Sequence, residues 1–243
     1  MSMNIKPKIL IVLGPTASGK SDFAVTLAKK FDGEIISADS RQIYKSLDIG
    51  SNKITSQEKQ DIKHYLLDIA NPDQKITLHD WQKLTFATIE KILQKKKLPI
   101  IVGGTGLYLS SILENYQLPD AADCPYDYLI FGLKKDTEKL YQKINHRVDQ
   151  MIDQNLVAEV KNIYQKHPDK HLSALSGIGY QEIIKYLDQE LSLEEATDLI
   201  KKNTRNYAKR QMTWFRRMER RDFKIHWNKN TSEANTLIKK FLD

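Results

Sequence analysis

The chain has one cysteine, Cys124, in 243 residues, so it can close no internal disulfide, and no Cys or His cluster surrounds it to suggest a zinc site. It reads as an ordinary thiol. Long apolar runs are also missing. None approaches the ~20 residues that span a bilayer, and the stretch from Met1 to Lys8 lacks the apolar segment of a secretory signal. The expectation is a cytoplasmic protein with no membrane partner. Internal repeats and low-complexity segments are absent. Prolines number 7, and Pro119 and Pro125 punctuate the one plausible seam. What remains is a 40% hydrophobic content, enough to fill the core of one α/β domain spanning 1–243.

Excess positive charge is scarce outside one segment. The chain carries 38 Lys and Arg against 31 Asp and Glu, a net +7. Nine of those bases (Lys201, Lys202, Arg205, Lys209, Arg210, Arg216, Arg217, Arg220 and Arg221) lie between 201 and 221 with a single acid, Glu219, which leaves 29 bases against 30 acids elsewhere. The protein is therefore not generally basic; one element is. The capping box Ser192-x-x-Glu195 predicts a helix beginning there. At helical spacing Lys202, Arg205, Lys209, Arg216 and Arg220 share one stripe, with Arg210, Arg217 and Arg221 beside it. Ile200, Tyr207, Trp214, Phe215 and Met218 fall on the opposite side and read as core rather than as base-stacking platforms. So much cationic surface with few interleaved acids suits a phosphate backbone, although a charge run can also be a merely solvated face.

Residues Gly14-Pro15-Thr16-Ala17-Ser18-Gly19-Lys20-Ser21 follow the apolar run Ile9 to Leu13 and precede a helical pattern in Phe23, Ala24, Leu27, Ala28 and Phe31. The spacing G-x-x-x-x-G-K-[ST] wraps an anion in consecutive backbone N–H donors. Lys20 then reaches the outer phosphate and the Ser21 hydroxyl can ligate Mg²⁺. The loop does not say which phosphorylated compound it holds. Glu34 to Ala38 reads as a second strand ending at Asp39. Parallel strands joined by a crossover helix bring their carboxyl ends to one edge, so Asp39 is expected to face the loop. Another helix is predicted from Trp81, Leu84, Thr88, Ile89 and Ile92, then a strand over 100–102 and a turn, Gly103-Gly104-Thr105-Gly106, which makes Thr105 a second site candidate. A buried strand over 128–133 follows. Beyond it the pattern is helical, with Arg147 beside the stripe Leu140, Ile144, Val148, Met151 and Ile152, and a further helix in Leu156, Val160 and Ile163. The predicted fold class is α/β: a P-loop NTPase-like parallel sheet flanked by helices, with a helical C-terminal portion.

The P-loop, the segments 37–44, 48–50, 64–68, 102–108 and 177–180, and Thr204 to Arg217 appear in the order found in tRNA dimethylallyltransferases, and the chain resembles that family over nearly its whole length. The resemblance implies transfer of a dimethylallyl group from dimethylallyl diphosphate to N6 of the adenine 3′ to the anticodon, releasing pyrophosphate. It further implies that Gly14 to Ser21, Lys20 and Arg147 hold the diphosphate, with Mg²⁺ at Ser21. Asp39 would serve as general base toward N6, with magnesium ligation the alternative for it, and Thr105 would stand at the reacting end. Asp39, Ser40, Arg41, Gln42, Thr105, Arg205, Lys209, Arg210, Gln211, Arg216 and Arg217 would contact the tRNA anticodon stem-loop. A monomer is expected. One departure stands out: the helical insertion common in the family is reduced here to a short link near 118–127. Two other readings are open, a P-loop kinase or prenyltransferase acting on free adenine nucleotides, and an RNA-binding module without turnover.

Overall fold

The first apolar run forms β1 (Lys8–Leu13), and the chain then turns through the glycine loop into α1 (Lys20–Lys30). A computed structural model describes residues 6–115, 124–169 and 171–243. After α1 come β2 (Gly33–Ala38), a short α2 (Ser56–Lys59), β3 (His64–Tyr65), α3 (Leu78–Gln94) and β4 (Leu98–Gly103). They are followed by α4 (Gly106–Leu113), β5 (Asp127–Gly132), α5 (Thr137–Asp153) and α6 (Leu156–Lys166). A 3-10 turn at Ala174–Ser176 leads to α7 (Tyr180–Leu187), α8 (Leu193–Glu219), β6 (Ile225–Trp227) and α9 (Thr231–Leu242).

The six strands form one sheet in the order β3-β2-β4-β1-β5-β6, every pair parallel. A parallel sheet covered on both faces needs apolar residues on both sides of each strand, which explains why β1 is an unbroken run rather than an alternating one. Leu10 and Val12 join Ala24, Leu27, Ile100, Ala234 and Ile238 beneath α1 and α9. Ile9, Ile11 and Leu13 join Trp81, Ile89, Leu109, Ile200 and Phe215 beneath α3, α4 and α8. The register aligns Leu13 with Gly103 and Gly132, and Ala38 with Gly103, so β1, β2, β4 and β5 all end at one edge. Their loops carry the P-loop, Asp39 and the Gly103–Gly106 turn.

Three elements carry no signal in the sequence. The turn 103–106 runs into a helix that the sequence did not announce: Gly106 opens α4, eight residues long, whose side chains from Tyr108 to Leu113 are buried. Being apolar almost all round, α4 shows no helical periodicity in the sequence. The sheet also gains β3 and β6 at its edges, where only two or three residues pair, too few to leave a pattern. The link near 118–127 lies mostly outside the described residues; Pro125 and Tyr126 lead directly into β5.

Candidate active site

Close approach shapes the sheet edge. A side chain on Gly103 would meet the Ala38 carbonyl oxygen at 2.1 Å, one on Gly104 the Gln211 amide at 2.2 Å, and one on Gly106 the Trp214 indole at 2.2 Å. The glycines of this turn are therefore set by packing against β2 and α8. Gln211, on α8, accepts from Thr16 N at 2.9 Å and donates through Nε2 to the Gly104 carbonyl at 2.9 Å. One buried amide thus joins the P-loop to the β4 turn. Trp214 Nε1 donates to Ser110 Oγ at 3.0 Å and fixes the same stretch of α8 to α4.

The P-loop is clamped from below as well. Ala17, with φ 63°, packs with Leu140 and Ile144 of α5 and Ala208 of α8. Gly19, with φ 96°, opens α1 in a conformation that L side chains rarely adopt. Gly14, Pro15 and Ser18 form the buried underside of the loop, whereas Thr16, Ala17, Gly19, Lys20 and Ser21 line a cavity of about 430 Å³, within the ~300–1,000 Å³ range of small-molecule sites.

Asp39, Ser40, Arg41, Gln42, Arg147, Tyr207 and Arg210 line the same cavity. Asp39 Oδ1 accepts from Arg41 N at 2.8 Å and Gln42 N at 3.4 Å, which orients the carboxylate and leaves Oδ2 for the cavity. Burial pulls the Lys20 ammonium down to about 8; the Asp39 carboxylate opposes that fall and the Arg147 guanidinium adds to it. Burial also lowers Arg147, against the pull of Glu58 and Asp22. Two cations held together in a desolvated place, with one carboxylate nearby, suit a ligand more negative than that carboxylate. The phenols around Asp39 stay protonated. Burial, then Tyr44 and Asp39, push Tyr108 up to about 12, and burial with the Asp39 charge raises Tyr207.

Several expected site residues hold partners that the sequence did not indicate. Thr105 does not line the cavity. Its hydroxyl is buried beside the Tyr207 phenol and otherwise without a partner, so Tyr207, read from sequence as core, is the residue that faces the ligand space. Gln211, which the resemblance groups with the RNA-contacting residues, lines the cavity but is 5% exposed, its amide bonded to both loops. Arg205 is half-buried and donates to Asn145 Oδ1 at 2.6 Å, bracing α8 on α5. Arg41 donates to the Ser173 carbonyl, and Gln42 Nε2 to the Ser51 and Asn52 carbonyls at 3.3 and 3.1 Å. Both side chains therefore hold loops around the cavity as well as lining it.

The rest of the basic element is as expected from its pattern. Lys209, Arg216 and Arg217 are exposed, and among the described residues no ion pair joins them to a carboxylate; Lys201 and Arg221 are tied to Asp149 and Glu114. Arg210 and Arg217 lie over the Tyr207 and Trp214 rings at 5.7 and 5.8 Å. The cavity thus opens beside a cationic helix face.

Glu159 is the residue sequence reasoning missed. From α6 its carboxylate accepts from Asp48 N, Ile49 N and Gly50 N at 3.0, 2.7 and 3.0 Å, holding the far wall of the loop that begins at Asp39. The pairing of the 48–50 and 177–180 segments was its only trace: Gly50 has no Cβ because Tyr180 occupies that place at 2.6 Å.

The family model for IPP transferase matches residues 42–125 and 119–218. A tRNA dimethylallyltransferase from Alkaliphilus oremlandii is 38% identical over 290 aligned residues, covering 92% of this chain and 91% of the relative. The chain belongs to the IPP transferase family. A tRNA dimethylallyltransferase from Lactococcus lactis is 36% identical, covering 93% of this chain and 95% of the relative. The crystal structure of the full-length tRNA isopentenylpyrophosphate transferase from Bacillus halodurans superimposes with a TM-score of 0.87 at 31% identity, covering 98% of this chain and 96% of that one. That of the Staphylococcus epidermidis transferase gives 0.86 at 29%, covering 98% and 99%. An alignment of 290 residues exceeds the 243 of this chain, so this IPP transferase lacks residues that the relative carries. The family model divides into its two matches around 119–125, where the short link lies.

Proposed function

We propose that this IPP transferase moves a dimethylallyl group from dimethylallyl diphosphate to N6 of the adenine 3′ to the anticodon of tRNA. The observation that carries this reading is a single cavity lined by the P-loop, Arg147 and Asp39 that opens beside the cationic face of α8. In the reaction the allylic C–O bond breaks with its electron pair going to the diphosphate, a C–N bond forms to N6, and the N6 proton leaves. Loop N–H groups, Lys20 and Arg147 hold the charge growing on the leaving diphosphate. Asp39 Oδ2 accepts the proton, since an adenine amine is not basic enough to attack and keep it. Tyr207 and Arg210 border the space the base enters after leaving its stack.

Mg²⁺ fits this site as a shared ion. Among the described residues no group of three or more His, Cys, Asp or Glu forms a cage. Mg²⁺ commonly binds through one or two protein oxygens, substrate phosphate and water. Exposed Ser21, at the start of α1, offers a hydroxyl, and bound Mg²⁺ would supply charge neutralisation on the diphosphate. The short link marks this protein, in our reading, as a single domain whose insertion is nearly gone, so α8 carries a larger share of the RNA grip.

Incubation with tRNA, donor and Mg²⁺ is expected to release pyrophosphate, and a tRNA with guanine in place of the target adenine is expected to release none. Asp39→Asn separates the two roles of that residue. A base predicts kcat lower by about 10²–10⁴ with donor affinity retained; weakened donor binding would indicate metal ligation instead. Faster modification of free adenine nucleotides than of tRNA would transfer the assignment to a small-molecule enzyme.

A further inference from the structure

Beside Arg147 the cavity wall continues along α5. Lys139, Lys143 and Arg147 recur every fourth residue and so share one ridge of that helix, with Lys135 just ahead of its first turn. Lys135, Lys139 and Lys143, together with Gln142 and His146, line an open depression. Lys143 of the depression and Arg147 of the cavity lie one turn apart on that ridge, so the two adjoin along α5. Asp22, which lines the cavity, bears on both Lys135 and Arg147 and marks the junction between them.

The ridge holds more positive charge than its surroundings balance. The nearby Lys143 ammonium, a like charge, lowers the Lys135 pKa. Like charges at helical spacing repel, which a folded protein tolerates most readily where an anion visits. Asp136 lines the depression, yet its Oδ1 is occupied as the α5 cap, accepting from Glu138 N at 3.0 Å and Lys139 N at 3.4 Å. Asp149 is bound by Lys201 at 2.6 Å.

An RNA backbone would also be drawn to such charge. The ridge, however, leads to Arg147, which lines the cavity with the P-loop groups proposed to hold diphosphate, whereas Arg216 and Arg217 of α8 do not line it. We propose that Lys135, Lys139 and Lys143 form a capture site for the diphosphate anion, which gathers allylic diphosphate from solution, passes it to Arg147 and Lys20, and receives departing pyrophosphate. This rests on the diphosphate reading of the P-loop given above.

The test is the double variant Lys139→Gln/Lys143→Gln, both positions exposed and outside the reacting groups. At low salt its kcat/KM for dimethylallyl diphosphate is expected to fall about tenfold, in the range of electrostatic steering. Its kcat at saturating donor and its tRNA dissociation constant stay at the wild-type values, and the difference from wild type closes at high salt. Charge reversal at both positions is expected to deepen the loss. Association of inorganic pyrophosphate, followed by stopped flow without tRNA, should slow in parallel. That arm is read even where wild-type protein fails to prenylate tRNA, a failure that would count against the proposed function instead. Unchanged donor kcat/KM and unchanged pyrophosphate association would overturn the capture site. Weaker tRNA binding with donor kinetics intact would overturn it too and assign the ridge to RNA.

Discussion

The Tyr180 hydroxyl donates to Glu159 Oε1 at 2.9 Å, while the same carboxylate accepts three consecutive backbone N–H groups from residues 48–50. One anion from α6 therefore closes the loop that starts at the catalytic edge, and burial together with the Glu159 charge holds Tyr180 protonated, well above the usual phenol range. Glu159→Ala leaves these donors without an acceptor and is expected to cost roughly 2–4 kcal/mol, against about 1 kcal/mol for Tyr180→Phe. Urea unfolding of both single variants and the double variant should show strong non-additivity, since the pair shares one network. Simple additivity would mean that the loop is held by something else.

Gln211 gives a prediction of a different kind. Gln211→Leu keeps the volume but removes the acceptor for Thr16 N and the donor to Gly104. Losing the two bonds, at about 1 kcal/mol each, should weaken donor binding by roughly tenfold or more. Affinity for tRNA, measured by filter binding without donor, should change little. The opposite pattern would restore Gln211 to the RNA-contacting set.

Lys20 sets the pH dependence. Its folded pKa, about 8, lies below the ordinary 10.5, so only the protonated form at lower pH attracts the diphosphate. Donor kcat/KM is expected to fall as pH rises through about 8. For stability the sign is reversed. Between about 8 and 10.5 the unfolded chain binds the proton that the folded one has lost, so this lysine makes stability rise with pH there. Lys20→Met should thus be at least as stable as wild type at neutral pH while losing donor binding, which thermal melts and donor titrations would check.

On α8, neutralising Lys209, Arg216 or Arg217 should lower tRNA affinity and reduce the slope of log affinity against log salt by about 0.7–0.9 for each phosphate no longer neutralised. Arg205→Gln should lower stability as well, because its guanidinium braces Asn145. A slope unchanged by all three exposed substitutions would remove α8 from the RNA interface.

What the sequence disclosed depended on whether a signal was periodic or spatial. The unbroken apolar strands, the P-loop spacing, the Ser192 capping box and the charge run of α8 are local patterns, and each element lies where its pattern puts it. Asp39 reached the cavity because parallel strands share an edge. The partners of Thr105, Gln211 and Arg205 were not legible, because a turn motif or a helix wheel gives a direction without a neighbour. The wheel cannot say that Tyr207 stands in front of Thr105, or that Gln211 meets two loops from elsewhere in the chain. Glu159 was silent for the same reason, since its partners are backbone N–H groups about 110 residues away, which no residue type announces.

Nucleoside mass analysis of tRNA incubated with the protein, dimethylallyl diphosphate, ATP labelled in its terminal phosphate and Mg²⁺ tests the central claim most directly. Adenosine carrying one five-carbon unit beside the anticodon, with the label still on ATP, is the expected result. Label transferred to an acceptor, with adenosine unmodified, would contradict it.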